Sequence, residues 1–357
     1  MKPITKVALS AGLAAGLLAT GASAQLAGHN VILVHGFQQE DLSNPPANLQ
    51  EVKAAGADYW RTFWLSRSEA RIDWPSNGRI EGSIAQQAYN QIRSISQQGL
   101  CNNFCVLVSH STGDLVTRYI LENQARWLRA DGLQPLKILT ALDFSGAGGG
   151  TELADLAVSV AYNDSWYLAP VKAAVELFTG IDPEPGKLGV VNDLQTNAAR
   201  NLAVSPNSIP RIRLVAGGSS YGGVTKPFIA GTDDGVVPTH SACGATTAEG
   251  VDSCISNLSL AGKYSSQDGP DGLYYNHYPV LMNEGVSHSG VLGSETGNIS
   301  VPVVNNTTLN GFRVDFASRT YNRRAWWQWW GSGDRYIEVP GSDQTDMSSL
   351  VYNTLNN

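Results

Sequence analysis

The run Val31-Ile32-Leu33-Val34 is apolar at every position, the pattern of a strand covered on both faces, and it stops at His35-Gly36-Phe37. A second such run, Phe104-Cys105-Val106-Leu107-Val108, stops at Ser109-His110-Ser111-Thr112-Gly113. Leu115, Val116, Tyr119 and Ile120 then follow at helical spacing. Between the two runs, Asn44-Pro45-Pro46 marks a loop and residues 57–65 read as another strand. Ile84, Ala88, Ile92 and Ile95 predict a helix, with Gly99 as its stop. Later strands are expected over 136–142 and 211–216, and Phe228-Ile229-Ala230 leads as an apolar strand into Gly231-Thr232-Asp233-Asp234-Gly235. Strands alternating with helices predict an α/β fold on a mostly parallel sheet flanked by helices. Ligands bind such sheets at the carboxyl ends of the strands, where the polar residues after these runs can converge.

Two stretches leave this alternation. Residues from about 155 to 208 are helix-forming but broken by Pro170, Pro183, Pro185 and Pro206. An insertion at that point is either a cap or lid over a site or extra helical cover for the sheet. From Ile299 onward the chain is rich in Val, Asn and Thr and predicts a small β-rich, aromatic extension over 299–357, beside a main domain over 25–298. The tract Ala325-Trp326-Trp327-Gln328-Trp329-Trp330 reads first as a core-packed strand and otherwise as a platform for a hydrophobic or polymeric substrate.

Lys2 and Lys6, the apolar stretch from Val7 to Leu18, and Ala22-Ser23-Ala24 before Gln25 predict an export signal over 1–24. The apolar stretch is too short and too rich in Gly and Ala to span a membrane, and no comparable run follows. No integral membrane segment is therefore expected, and the protein is expected to be secreted, extracellular or periplasmic in a Gram-negative host. Loss of the leader removes two lysines and no acid, taking the net charge from −7 to about −9. A chain this acidic has no electrostatic means of holding nucleic acid. Four cysteines in an exported chain predict two disulfides, and neighbour pairing is the simplest of three connectivities: Cys101 with Cys105, and Cys243 with Cys254. Neither spacing suits a metal, and none is expected.

Ser111 lies between a strand and a helix, where a sharp turn holds a hydroxyl out at the rim of a sheet. A serine becomes a nucleophile when a histidine held by a carboxylate takes its proton. The expected base is His288, in Val286-Ser287-His288-Ser289-Gly290-Val291-Leu292, ahead of His277 and His240. Asp234 is the expected carboxylate, ahead of its neighbour Asp233 and of Asp143. An attacked ester passes through an oxyanion, and the backbone N–H groups of Phe37 and Thr112 are the expected donors to it. His110 is expected to support the turn, and Gly146 to Gly150 to form a flexible loop near the site.

Val-His-Gly-Phe at 34–37, Ser-His-Ser-Thr-Gly with Asp-Leu-Val-Thr-Arg-Tyr at 109–119, Asp-Asp-Gly-Val-Val-Pro at 233–238 and Ser-His-Ser-Gly-Val-Leu at 287–292 together resemble the α/β-hydrolase superfamily. Within it, the chain looks like the secreted bacterial lipases and esterases. Val191-Asn192-Asp193-Leu194 is similar to their lid-region sequence. The resemblance spans about residues 30 to 295 and implies hydrolysis of hydrophobic acyl esters through an acyl-enzyme, without a cofactor. The usual elbow is G-x-S-x-G, and Ser109 stands here in place of the first glycine. Some of these lipases hold calcium through an aspartate shortly after the histidine; Ser289 and Gly290 stand there in this chain, which argues against that site. The same triad would serve a lipase, an esterase, an extracellular polyester depolymerase attacking a polymer, or an acyltransferase. A catalytically silent binding protein on the same fold is the alternative of another class.

Overall fold

The computed structural model describes residues 25–163, 169–203, 208–266, 270–293, 295–301, 306–324, 327 and 330–357, so the expected leader lies outside the described residues. Seven strands make the main sheet: β1 (Gln25–Leu26), β2 (His29–Val34), β3 (Ala70–Ile72), β4 (Cys105–His110), β5 (Ile138–Phe144), β6 (Arg211–Val215) and β7 (His277–Leu281). Their order is β1-β2-β4-β5-β6-β7, with β3 also pairing with β2, and only the β1–β2 pair is antiparallel. The helices are α1 (Glu40–Ser43), α2 (Leu49–Tyr59), α3 (Ala85–Gln97), α4 (Gly113–Ala130), α5 (Glu152–Tyr162), α6 (Ala169–Thr179), α7 (Thr196–Leu202), α8 (Thr239–Ala242) and α9 (Met347–Asn356). The fold is α/β, a mostly parallel sheet flanked by helices.

Successive side chains of a strand point to opposite faces, and this divides the core in two. Ile32 and Val34 of β2, with Cys105 and Leu107 of β4, pack with α3 and α4 on one face. Val31, Leu33, Val106 and Val108 pack on the other. The first face also takes Leu153, Ala154 and Ala157 of α5 and Val175 and Phe178 of α6. The second is closed by Trp60, Phe63 and Trp64 and by C-terminal residues from Ile299 and Phe312 to Val351 and Leu355. That C-terminal segment forms two small antiparallel hairpins, β8 (Thr307–Leu309) with β9 (Phe312–Val314) and β10 (Arg319–Arg323) with β11 (Asp334–Glu338), before α9.

Several expectations are corrected. Residues 57–65 are not a strand: α2 runs to Tyr59, and the strand beside β2 begins only at Ala70. The aromatic run that imitates a strand, Trp60, Phe63 and Trp64, is buried from turns instead. Phe228 to Ala230 is not a strand either; a short helical turn over Lys226–Phe228 stands there, and β6 is the nearest strand before Asp234. Cys101 and Cys105 are bonded. Cys243 and Cys254 are not, and stand as two buried thiols. Burial pushes the Cys254 thiol well up, and its S–H donates to the Thr239 carbonyl (4.0 Å). In the aromatic tract, residues 325, 326, 328 and 329 lie outside the described residues, but Trp327 and Trp330 are 64% and 82% exposed, so these two are not core-packed.

Candidate active site

Ser111 sits where β4 gives way to α4, with a φ of 54° that a non-glycine residue adopts only at a cost. The turn is held from both sides. Its N–H donates to Phe144 O (3.1 Å), and its carbonyl accepts from Asp114 N (3.1 Å) and Ala147 N (2.8 Å). Gly113 lets the elbow approach β2, since a Cβ there would run into the carbonyls of Val34 and His35. Gly36 does the same from the other side: a Cβ would meet the Tyr59 hydroxyl and lie 2.7 Å from Ser111 Cβ. That closeness brings Phe37 beside the elbow. The N–H groups of Phe37 and Thr112 have no acceptor among the described residues, and both residues line the cavity that contains Ser111.

The Ser109 hydroxyl donates to Asp143 Oδ1 (2.5 Å), which accounts for a serine where the elbow commonly has glycine. Asp143 belongs to a fully buried network with two arginines. Arg211 bonds Asp143 (2.6 Å) and Asp114 (2.7 Å), while Arg213 bonds Asp114 (2.6 Å) and Asp143 (3.2 Å). Burial alone would raise the Asp114 carboxyl, but Arg213 and Arg211 outweigh it and hold Asp114 well below the usual carboxylate range. Asp114 Oδ2 also accepts from Gly148 N (2.7 Å), and Arg118 donates to Gly148 O. The glycine run 146–150 is therefore a buried loop pinned to the elbow helix, not a flexible one.

Asp234 and His288 meet. His288 Nδ1 lies 2.7 Å from Asp234 Oδ2, so Nδ1 carries the proton and Nε2 is the bare nitrogen. The other Asp234 oxygen accepts from Val236 N (3.0 Å) and Val237 N (2.7 Å), which fixes the carboxylate. His288 and Ser111 line one cavity of about 530 Å³, though no hydrogen bond joins them among the described residues. Phe37, Ala147, Phe178, Leu194, Val236 and Val237 give the cavity an apolar wall; Gln38, Gln39, Asp58 and Thr62 give it a polar one.

Solved structures to which the chain is similar include the mature Bacillus licheniformis lipase BlEst2 (17% identity over 62% of this chain and 82% of that one, TM-score 0.40), a metagenomic carboxyl esterase (16%, 55% and 52%, TM-score 0.32) and phospholipase PlaB from Legionella pneumophila (15%, 60% and 44%, TM-score 0.35). The chain is similar to each of them at low identity. It spans about half the length of the latter two structures. No protein-family model matches the chain, and no curated protein matches its sequence.

The remaining candidate residues fall outside the cavity that Ser111 and His288 line. His277 is buried, its Nδ1 against Tyr275 O (3.1 Å), and burial and then Arg213 push its pKa well down. His240 bonds Glu152 (2.7 Å) and Arg200 (2.8 Å). His35 stacks on Trp74 at 4.8 Å between ring centroids, and its Nε2 accepts from Trp74 N (3.1 Å). Asp233 turns back to accept from Gly235 N (2.7 Å). Sequence reasoning missed Gln39, whose amide donates to Leu177 O (2.5 Å), Phe178 O (2.8 Å) and Tyr221 Oη (3.1 Å) and so ties the end of α6 across the cavity. A lone glutamine in a loop carries no signal of such a role.

Asp233 and Asp234 separate by experiment. Asp234→Asn is expected to lower kcat by about 10³–10⁴-fold, as loss of the carboxylate behind a catalytic histidine does, while Asp233→Asn leaves kcat near wild type. Burial pushes Asp233 up to about 6 from 3.8. Its proton is held more tightly in the native state, so the linked stability is complete below pH 3.8 and is lost as pH rises through about 6. Asp233→Asn should therefore raise the melting temperature at pH 8 more than at pH 5. Thermal melts at the two pH values check this, and an equal shift at both would contradict it.

Proposed function

We propose that the protein is a secreted serine hydrolase that cleaves carboxylic esters with hydrophobic acyl groups. The observation that carries the reading is His288, bonded to the buried Asp234, lining the same cavity as the strained Ser111. In this mechanism His288 Nε2 takes the Ser111 hydroxyl proton as Oγ attacks the ester carbonyl carbon. The carbonyl oxygen becomes an oxyanion, held by the N–H groups of Phe37 and Thr112, which are free to receive it. His288 then returns the proton to the departing alcohol, leaving an acyl group on Ser111. Water, deprotonated by the same nitrogen, releases the acid and restores the hydroxyl. Asp234 keeps the proton on Nδ1 and stabilises the transient imidazolium. The bond between Ser111 and His288 forms as substrate fills the cavity, since catalytic hydrogen bonds often tighten only in the complex.

The apolar wall suits the acyl chain, and Phe178 of α6 makes the insertion part of that wall. Export is the reading of the leader over 1–24. The Cys101–Cys105 bond suits an oxidising compartment, and no described helix is long and apolar enough to cross a membrane. Rates on p-nitrophenyl esters of increasing chain length test the substrate class. The expected result is a maximum at an acyl chain the apolar wall can cover; absence of hydrolysis at every length would remove the reading. A second reading, a polyester depolymerase, is favoured by the exposed Trp327 and Trp330. Clearing of a polyester film without clearing of a triglyceride emulsion would select it.

A further inference from the structure

The main-chain N–H and carbonyl of His288 are both held by side chains from distant parts of the chain. Its N–H donates to Ser220 Oγ (3.2 Å), and its carbonyl accepts from His110 Nε2 (2.8 Å). The Ser220 hydroxyl in turn donates to the Asp234 carbonyl (2.7 Å). His110 immediately precedes Ser111, so one imidazole spans the elbow and the loop carrying His288.

We propose that His110 is a positioning residue that sets the main chain of His288 at the distance from Ser111 that proton transfer requires. The inference rests on the reading of Ser111, Asp234 and His288 as a catalytic set. The Asp234 bond to Nδ1 fixes the tilt of the His288 ring but does not itself tie the loop to the elbow. The His110 bond supplies that tie, because its own ring cannot shift without disturbing the elbow.

The ring is fixed in one tautomer. A carbonyl only accepts, so Nε2 carries the hydrogen; Nδ1 is then bare and accepts from the Tyr59 hydroxyl. Tyr59 is wedged against Gly36, whose own Cβ its hydroxyl would exclude, so the chain of contacts runs back to the loop bearing Phe37. The His110 and His288 rings lie 4.7 Å apart between centroids. Burial, and then the neighbouring His288, hold His110 neutral by pushing its pKa well down. A neutral neighbour is what His288 needs, since it becomes positively charged in the reaction.

The test uses His110→Phe, which keeps a ring but no donor, and His110→Gln, whose amide N–H stands near the place of Nε2. Tyr59→Phe is a milder variant that loosens the ring without removing it. Kinetics on a soluble p-nitrophenyl ester are paired with amide hydrogen exchange over residues 284–293. His110→Phe is expected to lower kcat about 10–100-fold, the range that a displacement near 1 Å produces, with KM within about twofold. Exchange over 284–293 should quicken in the same variant. His110→Gln should recover most of both, and Tyr59→Phe should lower kcat by a smaller factor with KM held. Unchanged kcat and exchange in His110→Phe, or a His110→Gln variant as impaired as His110→Phe, would overturn the proposal. Exchange reports on the clamp without any chemistry. A failure of the catalytic reading would instead appear as equal ester hydrolysis by wild type and Ser111→Ala.

Discussion

Ser111→Ala is expected to lower kcat on a soluble ester by about 10⁴–10⁶-fold while leaving the fold intact, the range seen when the nucleophile of a triad is removed. The two neighbouring hydroxyls cannot stand in for it. Thr112 is buried beside it as the N-cap of α4, and Ser109 is committed to Asp143. The same position carries a stability signature set by its backbone. At φ 54° both serine and alanine are strained, whereas glycine is not. Ser111→Gly should therefore be more stable than Ser111→Ala by about 1–2 kcal/mol, the cost of the left-handed conformation for a residue with a Cβ. Urea titrations of the two variants check this, and equal midpoints would mean that the turn relaxes without effort.

The largest expected loss of stability follows from breaking the ion network beneath the elbow. Arg213→Met removes one of two guanidinium groups that face Asp114 and Asp143, all with side chains at most 1% exposed. It also strips partners from the Ala242 and Ser241 carbonyls. A charge left partly uncompensated in a buried site costs about 3–5 kcal/mol, and the urea midpoint should fall accordingly. The pH dependence has a definite sign. Asp114 is held below its unfolded value, so its contribution is complete above pH 3.8 and is lost as pH falls through the lowered value. Ser109→Gly, which restores the commoner elbow sequence, should destabilise rather than stabilise, because it removes a hydrogen bond to a buried carboxylate worth about 1.5–3 kcal/mol. A Ser109→Gly variant as stable as wild type would contradict this account of the departure.

What could be read from the sequence was whatever depends on local pattern. Val31 to Val34 of β2 and Cys105 to Val108 of β4 are apolar throughout because both sheet faces are covered, and α3 runs where Ile84 to Ile95 recur at helical spacing. The elbow is legible for the same reason: strand, small residues and helix follow one another without a gap. The failures are of another kind. Aromatic residues suit strands and buried turns equally, so Trp60 to Trp64 concealed the end of α2; the stronger signal was Asn48, which caps that helix by accepting from Glu51 N (3.1 Å). Glycines 146 to 150 looked flexible because nothing in their own sequence reveals that Asp114 and Arg118, one helix away, would hold them. Cys243 and Cys254 were read by compartment and spacing, but a disulfide depends on how two buried thiols meet. Gln39, Ser220 and Tyr59 act through long-range contacts that no local pattern encodes.

The most direct test is labelling of the intact chain with an alkyl phosphonate ester, followed by mass-spectrometric location of the adduct. One phosphonyl group on Ser111 is predicted, formed rapidly in wild type and Asp233→Asn, slowly in Asp234→Asn and His288→Ala, and not at all in Ser111→Ala. An unlabelled wild-type chain, or an adduct that persists on another serine when Ser111 is replaced, would contradict it.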